Sequence, residues 1–427
     1  MILSIISILT ALLFITGTPI LLIIAGWVIA ASYFVIDFPL ANIGVGATDS
    51  ITSFVFLAVP LFVATGDFLT EGGISQKLVA FARSLVRPLP GATTCSAILA
   101  SGMFAAVSGS NSATAATMGR MLGPAMAGTG MPTSRAAAIV AAAGTVGVII
   151  PPSVIFIVYG ITVNVSSTDL FSGGILPGIL MVLMMLVAGS FLSRKYEPSG
   201  GLKSLKLSDI SRAAAGAWLG FLAIGVIFYG VFGGLFSPTE AAGVVTIFTC
   251  LAGLLITRKI KMRNLASIMM RSAAITGMIV PLVGFSVLFQ QVLAQLGASQ
   301  ALQDLLASVG QSYGPFLVLV LMMLLILLVG AFTESVAVVL ILAPMLAPVA
   351  LNLGFDPVHW GVIFVVGTSI GFITPPYGLN LFVVSAVCKV PFGHVIKHIW
   401  PMIFTLLIAW IFIAVFPWLS LAFIPSR

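Results

Sequence analysis

Long apolar segments separated by Gly, Pro and short polar clusters run through almost the whole chain. A helix needs about twenty apolar residues to cross the ~30 Å hydrocarbon layer of a bilayer. The apolar run that starts at Met1 is too long for one crossing, so a turn at Thr16–Pro19 splits it into two. With these two, the pattern predicts about ten crossings, the others lying at 51–70, 133–164, 171–193, 213–236, 239–257, 272–296, 357–388 and 395–424.

Two more apolar stretches, 91–127 and 314–351, carry polar or small residues at their centres, namely SGSNSA from Ser108 and FTES from Phe332. A re-entrant hairpin, which enters the membrane and returns to the same side, would turn at such a cluster. If both stretches are hairpins, every Lys and Arg before Arg427 falls on one membrane face, which the positive-inside rule makes cytoplasmic. An odd number of crossings then separates the hairpins, so the second half is inverted relative to the first.

The two halves of the chain repeat each other at a constant offset. Gly371 in TSIGFITPPY lies 224 residues after Gly147 in GTVGVIIPPS (371 − 147), and the same offset pairs the two Pro-Pro dipeptides. Duplicated apolar segments that Gly and Pro interrupt are typical of secondary transporters whose site lies between inverted repeats. The predicted regions are scaffold helices at 1–72, a first repeat at 73–193, a loop and further scaffold helices at 194–296, and a second repeat at 297–427.

Each repeat is predicted to begin with an arm helix that lies in the membrane interface. Ile74–Arg87 has apolar residues at helical spacing with Lys and Arg between them, a pattern typical of interfacial helices. Its repeat mate is Ala298–Gln311. The constant offset also pairs glycines before and within the repeats, namely Gly73 with Gly297 and Gly130 with Gly354.

Composition excludes a soluble globule, because 60% of the residues are apolar, 7% are charged and the mean hydropathy is +1.23. The longest polar stretch, Ser193–Arg212, is too short for a soluble ATPase domain, and no GxxxxGK[ST] loop occurs. Energy for transport must then come from an ion gradient or from a partner. The net charge of +7 is explained by cytoplasmic loops and indicates no nucleic-acid partner. The three Cys have neither metal-ligand nor disulfide spacing.

The two Pro-Pro breaks are the places where chemistry is predicted. Proline has no amide N–H, so Pro151-Pro152 and Pro375-Pro376 release carbonyl groups near Gly147 and Gly371. Released carbonyls are ligands for a hard cation, and half-helix N-termini attract anions. A sodium ion is therefore predicted beside each hairpin tip. The tips would add side-chain oxygens from Ser110, Asn111, Ser112, Thr333, Glu334 and Ser335.

A plainer interpretation stays open, in which Gly and Pro only kink the helices while Ser and Asn pack between them. Glu334 fits a functional carboxylate within the membrane and a solvated residue at a hairpin mouth equally well. Asn380 is expected to face the second break, and Tyr159 is either near the first break or an interfacial anchor. The carboxylates Asp67 and Glu71 are expected to be solvated at the end of a crossing.

Several stretches resemble the large membrane subunit (DctM-like family) of tripartite ATP-independent periplasmic (TRAP) transporters. They run in the family's order and are VPLFVATGDFLTEGGIS, VSGSNSATAATMGRMLGPAM, GTVGVIIPPSVIFIVYG, FSPTEAAG and FDPVHWGVIFVVGTSIGFITPPYGLNLFVV. The resemblance implies a bacterial inner-membrane, all-α, elevator-type transporter that sodium drives, with two or more sodium ions. It also implies a small four-helix membrane subunit and a periplasmic binding protein that delivers an organic anion such as a sialic acid or a C4-dicarboxylate.

The resemblance also implies two sets of site residues. The expected substrate-binding residues are Ser112, Gly144, Thr145, Glu334, Ser335, Thr374 and Asn380. The expected sodium ligands are Ser110, Asn111, Gly147, Pro151, Thr333, Gly367, Thr368, Gly371 and Pro375. No catalytic residue is expected.

Two rival functions remain at this point. A self-sufficient sodium/carboxylate symporter shares broken helices and hairpins but needs no partner subunit. An intramembrane hydrolase using a Ser with Glu334 would need a nucleophile and a base brought together, and no such motif occurs in the sequence.

Overall fold

The computed structural model describes residues 2–15, 18, 20–36, 44, 57–198 and 206–424. Most of the predicted Thr16–Pro19 turn, the start of the 51–70 crossing and Arg427 lie outside these residues. All regular secondary structure in the described part is helical. The chain is thus an all-α protein, as the apolar pattern predicts.

The described helices lie before, within and between the two segments predicted as repeats. Those of the first half are α1 Ile2–Ile15, α2 Ile20–Phe34, α3 Ala58–Glu71, α4 Ile74–Val86, α5 Ala92–Ser108, α6 Asn111–Gly128, α7 Thr133–Ala143, α8 Val154–Val163 and α9 Ser167–Ser193. Then come α10 Leu207–Gly216, α11 Trp218–Phe232, α12 Pro238–Leu251 and α13 Met262–Gln295. The second repeat contains α14 Ala298–Tyr313, α15 Pro315–Phe332, α16 Ser335–Asn352, α17 Pro357–Gly371, α18 Leu379–Cys388, α19 Phe392–Val415 and the short α20 Trp418–Leu421.

Both predicted hairpins turn at the predicted polar clusters. In hairpin 1, α5 ends at Gly109 in the left-handed region (φ 59°), and α6 begins after Ser110, whose hydroxyl accepts a hydrogen bond from the Ala113 amide. In hairpin 2, only Thr333 and Glu334 separate α15 from α16. The hairpin positions are therefore confirmed.

Both predicted broken helices are also present. The first consists of α7, a 3-10 turn at Gly144–Val148 and α8, while the second consists of α17 and α18. The segments between the halves are called break 1 (residues 144–153) and break 2 (residues 372–378). Each contains a Pro-Pro dipeptide. The duplication read from the sequence is therefore also present as the same order of helix, break and helix in both halves.

Paired glycines show the same agreement at single residues. The φ angles of Gly73 and Gly297 are 72° and 71°, and those of Gly130 and Gly354 are 88° and 85°. These angles favour glycine because a Cβ would be strained there. The offset thus matches positions where the chain must turn in the same way.

Length and composition alone qualify five helices as membrane spans: Ser167–Ser193, Pro238–Ile256, Pro315–Phe332, Ser335–Asn352 and Phe392–Val415. Two bent pairs raise the number to seven within the described residues. The first pair, α10 and α11, bends by 67° inside the predicted 213–236 crossing, because the amphipathic α10 turns away from the apolar α11. The predicted crossing at 272–296 begins too late in the sequence, because α13 already begins at Met262.

The core lies around the two broken helices. Every residue of α7 from Ala136 to Ala143 is buried, and so is every residue of α17 from Val358 to Gly371. The alanines of α7 let neighbouring helices approach closely, as small residues do in membrane proteins. On the far side of α17, the Trp410 indole of α19 donates a hydrogen bond to the Ile363 carbonyl (2.8 Å). The parts of α7 and α17 that lead into the two breaks are therefore fully enclosed by protein.

A charged cluster joins helices α3 and α13. Arg271 lies 3.1 Å from both Asp67 and Glu71, and the Ser272 hydroxyl donates to Asp67 (2.7 Å). Glu71 is solvent-exposed as expected, but both carboxylates also form ion pairs with Arg271. Helices distant in sequence bring a cation to them, which helical spacing cannot reveal.

Replacing Arg271 with Gln should destabilise the scaffold, because Asp67 and Glu71 would then repel each other without a cation between them. Asp67 is only 20% exposed, so we expect a loss of about 1 kcal/mol, near the upper end for partly exposed pairs. Thermal unfolding in detergent measures this loss. Arg212→Gln is the control, because Arg212 is 82% exposed and 4.0 Å from Asp209. Equal unfolding midpoints for the two variants would contradict the role given to Arg271.

Candidate functional site

The tip of hairpin 1 contacts both broken helices through one buried side chain. The Asn111 side chain accepts a hydrogen bond from the Val148 amide of break 1 (3.0 Å). Its amide group donates to the Ser369 hydroxyl of α17 (3.0 Å). Asn111 lies at the first position of α6 because Ser110 caps the helix. The cap therefore fixes the residue that connects the two repeats.

The two repeats also contact each other directly. The Ser369 hydroxyl donates to the Thr145 carbonyl, and these residues are repeat mates, 224 positions apart. Next to them, the Thr145 and Thr368 hydroxyls donate to carbonyls of their own helices, those of Ala142 (2.7 Å) and Val365 (2.8 Å). Their oxygens keep acceptor capacity for a further partner. This cluster of oxygen atoms lies at the centre of the protein.

Break 1 approaches hairpin 1 backbone to backbone. A Cβ on Gly147 would collide with the Ser110 carbonyl group and lie 2.9 Å from the Asn111 Cα. A Cβ on Gly144 would lie 2.7 Å from the Ala115 Cβ and 3.1 Å from the Asn380 Nδ2. Glycine is needed at both positions for this contact. The structure thus brings Ser110, Asn111, Gly144, Thr145 and Gly147 together as predicted.

Asn380 connects break 2 to the first repeat. Its Nδ2 donates to the Ala141 carbonyl of α7 (3.2 Å), and its backbone amide donates to the Phe372 carbonyl (3.0 Å). Its Oδ1 is buried without a hydrogen-bond partner, and so is the Ser335 hydroxyl at the tip of hairpin 2. Buried polar atoms are rarely left unpaired. Both oxygens belong to the second repeat, one at the tip of hairpin 2 and one just after break 2, and a bound ion or substrate would satisfy them.

Hairpin 2 contacts break 2 in a different way. The Gly378 amide donates to the Ala331 carbonyl (3.2 Å), and a Cβ on Gly371 would lie 2.6 Å from the Gly330 carbonyl carbon. The hydroxyls of Thr333 and Thr374 donate to carbonyls of their own chain turns, at Val329 and Ile370 (both 2.9 Å). The repeats are therefore alike in backbone shape but unequal in polar contacts.

The remaining predicted ligands are spread around these contacts. Glu334 is half-buried beside Thr333 and Ser335. Pro151 is buried, whereas Pro375 is only half-buried. A Cβ on Gly367 would meet apolar Trp410 and Ile326. The structure therefore places Gly367 against α19 and α15.

A cavity of about 420 Å³ lies between hairpin 1 and helices α3 and α13. Its volume falls within the range of ligand pockets, about 300–1,000 Å³. The Ser110 and Ser112 hydroxyls, 3.3 Å apart, line it at the hairpin tip. Its other polar lining residues are Asp67, Thr70, Glu71, Ser108, Thr117, Arg120 and Arg271. The predicted substrate residue Ser112 thus faces a space of suitable size.

Among the described residues, no three His, Cys, Asp or Glu side chains converge as they would around a transition-metal ion. An ion bound near the breaks would take carbonyl, hydroxyl and amide oxygens. Such ligands suit hard cations. The donor set fits sodium.

Two features of the site were not singled out from the sequence, and the interpretation of a third residue is corrected. Ser369 was not chosen as a ligand, although the repeat offset pairs it with Thr145. Tyr159 is fully buried, so its interpretation as an interfacial anchor is wrong. The Arg271 cluster on the cavity wall gave no signal in the sequence, because its members lie on α3 and α13.

A sequence profile described as "Tripartite ATP-independent periplasmic transporter, DctM component" matches residues 6–419. The chain belongs to the DctM family. Members of this family are one component of a three-part transporter, as the description states. With its apolar helices, this DctM chain is a multi-pass protein of the bacterial inner membrane.

Two relatives agree with this assignment. The chain is 35% identical over 369 residues to the C4-dicarboxylate TRAP transporter large permease protein DctM of Pseudomonas aeruginosa, covering 86% of each chain. It is 33% identical over 371 residues to the sialic acid TRAP transporter large permease protein SiaM of Vibrio cholerae, covering 87% of this chain and 86% of the relative. Both relatives are permeases, and neither name describes an enzyme.

The fold of this DctM chain is similar to that of a solved transporter. The YdaH transporter of Alcanivorax borkumensis superposes with a TM-score of 0.62 over 90% of each chain, at 18% sequence identity. At that identity the similarity concerns the fold alone. It supports an all-α, polytopic transporter architecture.

Proposed function

We propose that this chain moves an organic anion across the inner membrane, driven by sodium, by an elevator mechanism. The observation that carries the proposal is the junction of Asn111, Ser369 and Thr145. It unites a hairpin tip and both broken helices beside a cavity of about 420 Å³. Membrane transporters commonly bind substrate and coupling ion at such interrupted helices.

Sodium coupling is supported by the oxygen atoms around the breaks. The unpaired Asn380 Oδ1 and Ser335 hydroxyl would each gain a partner from a bound cation. The proposed sodium ligands are those read from the sequence, to which Ser369 is added, together with Ser335 and Asn380 from the expected substrate-binding set. Two ions, one beside each hairpin tip, fit the duplicated arrangement.

The elevator motion is supported by the position of the cavity. Hairpin 1, including Arg120 of α6, forms one wall of the cavity. Helix α3 and Arg271 of α13 form the opposite wall. In the proposed mechanism, the repeats move as the transport unit, while α3, α12 and α13 belong to the scaffold. Substrate in the cavity would be released when hairpin 1 parts from the scaffold.

The proposed cargo is a carboxylate, because the two relatives are named for C4-dicarboxylates and sialic acid. The proposed partners are a small four-helix membrane subunit and a periplasmic binding protein, which would complete a tripartite system. The alternative is a self-sufficient sodium/carboxylate symporter. The two candidates differ in whether this chain transports alone.

Reconstitution in liposomes tests the proposal. The chain and the small subunit are reconstituted into the membrane of lipid vesicles. Uptake of labelled succinate or N-acetylneuraminate is then measured with and without the binding protein. We expect uptake only with an inward sodium gradient and with binding protein present. Potassium in place of sodium should abolish it, since the coupling ion would be missing.

The controls separate the candidates. Sodium-driven uptake by this chain alone would establish the symporter in place of the tripartite mechanism. Uptake of equal rate in sodium and potassium would refute sodium coupling.

A further inference from the structure

The positively charged side chain of Arg120 lines the cavity. The role inferred for this charge rests on the proposed transport function. Arg120 lies on the same face of α6 as Ala113, Ala116 and Thr117, at helical spacing, and all four line the cavity. This face begins at the hairpin tip. The sequence alone allowed Arg120 to be a cytoplasmic border residue, which needs no ligand.

The two arginines of the cavity differ in their surroundings. Arg271 is neutralised by Asp67 and Glu71, each at 3.1 Å. Arg120 forms no salt bridge with any carboxylate of the described residues, and its Nε donates only to the Ala116 carbonyl of its own helix (3.4 Å). The charge of Arg271 is therefore neutralised within the protein, whereas the charge of Arg120 can still bind an anion.

The contact with Ala116 also sets the direction of the side chain. Helical side chains lean toward the N-terminus of their helix, and the N-terminus of α6 is the hairpin tip. Ser112 and Arg120 are separated along the helix axis by about 12 Å, at 1.5 Å per residue. The lean of Arg120 shortens this separation, so the guanidinium and the tip hydroxyls face one shared space.

We propose that Arg120 binds the carboxylate of the transported organic anion in this cavity. The planar guanidinium can hold a carboxylate through two parallel hydrogen bonds. The hydroxyl of Ser112 then binds a polar group at the other end of the same molecule. Arg120 therefore selects for anionic cargo that also carries polar groups distant from the carboxylate.

Arg120→Gln and Arg120→Lys test this assignment in the complete reconstituted transporter. We expect Arg120→Gln to raise the KM for succinate or N-acetylneuraminate by about ten- to a hundred-fold, as for a lost hydrogen bond to a charged group. The sodium concentration that gives half-maximal uptake should stay unchanged, because Arg120 is remote from the breaks along α6. Arg120→Lys should recover part of the affinity, because it keeps the charge without the bidentate geometry.

Arg135→Gln is the matched control. Arg135 also lies near the cytoplasmic border, but its guanidinium is hydrogen-bonded to the Tyr196 hydroxyl (3.2 Å) and lies over that ring. It does not line the cavity. A KM for Arg120→Gln equal to that of Arg135→Gln would overturn the inference while leaving the transport function intact.

A binding measurement keeps the inference testable if transport itself fails. The unfolding midpoint of the purified chain is measured with and without succinate, for the wild type and for Arg120→Gln. A stabilisation of the wild type that Arg120→Gln loses supports the assignment. Absence of stabilisation in the wild type, or equal stabilisation of both, refutes it.

Discussion

Asn111→Ala should lower sodium-driven uptake by about a hundred-fold or more, with a larger sodium requirement. The substitution leaves the buried Val148 amide without its acceptor and removes the donor to Ser369. A buried polar group left unpaired costs about 1–3 kcal/mol. Because these bonds join the hairpin tip to both broken helices, the loss acts on the proposed ion site itself. Initial uptake rates over a range of sodium concentrations measure the effect.

Asn264→Ala is the control for this prediction. Asn264 is exposed in the first turn of α13, so its side chain should matter little. Both variants are compared at equal amounts of folded protein in the vesicles. If Asn111→Ala has the sodium dependence of the wild type, the junction is not part of the ion site.

Gly147→Ala should abolish transport, because the added methyl group has no space. It would meet backbone atoms of Ser110 and Asn111, which cannot rotate away as a side chain can. Overpacking of this kind typically costs about 1–3 kcal/mol, and the strain would be relieved by moving the hairpin tip. Uptake and the unfolding midpoint are measured together, so that a displaced tip is distinguished from an unfolded protein.

Gly225→Ala provides the comparison, since nothing lies within 4 Å of a Cβ at this position of α11. It should transport as the wild type does and unfold at the same or a higher temperature, because Ala favours a helix over Gly by up to about 1 kcal/mol. Full activity of Gly147→Ala would show that the close approach of break 1 to the hairpin tip is not required.

The fold could be predicted from the sequence wherever a signal is local or repeated. Polar clusters within apolar runs indicate the hairpin tips, and Pro-Pro pairs indicate the breaks. The constant repeat offset also pairs Gly73 with Gly297, and these two glycines have nearly the same φ angle. What could not be predicted are contacts between distant helices. The salt bridges of Arg271 with Asp67 and Glu71 depend on how α3 and α13 pack.

The candidate site was predicted to a similar extent. Asn111 could be predicted as a site residue because it lies in a polar cluster at the centre of an apolar stretch. Ser369 was not singled out, because a small polar residue within an apolar helix is most often packing material between helices. Its neighbour Thr368 was chosen instead, yet the Thr368 hydroxyl donates to its own helix while Ser369 spans the two repeats. Only three-dimensional packing tells these two neighbours apart.

Ser369 and Thr145 hold the same position in their repeats and yet touch each other. Two equivalent points can meet only near the axis of the operation that exchanges them. In an inverted duplication that operation also exchanges the outside and the inside of the cell. In the proposed transporter, a change at the axis would therefore act equally on the outward-facing and inward-facing states. Asn111 and its mate Ser335 have unequal partners, so a change at either one would shift the balance between these two states. Binding affinity and the balance of the two states would thus depend on separate residues.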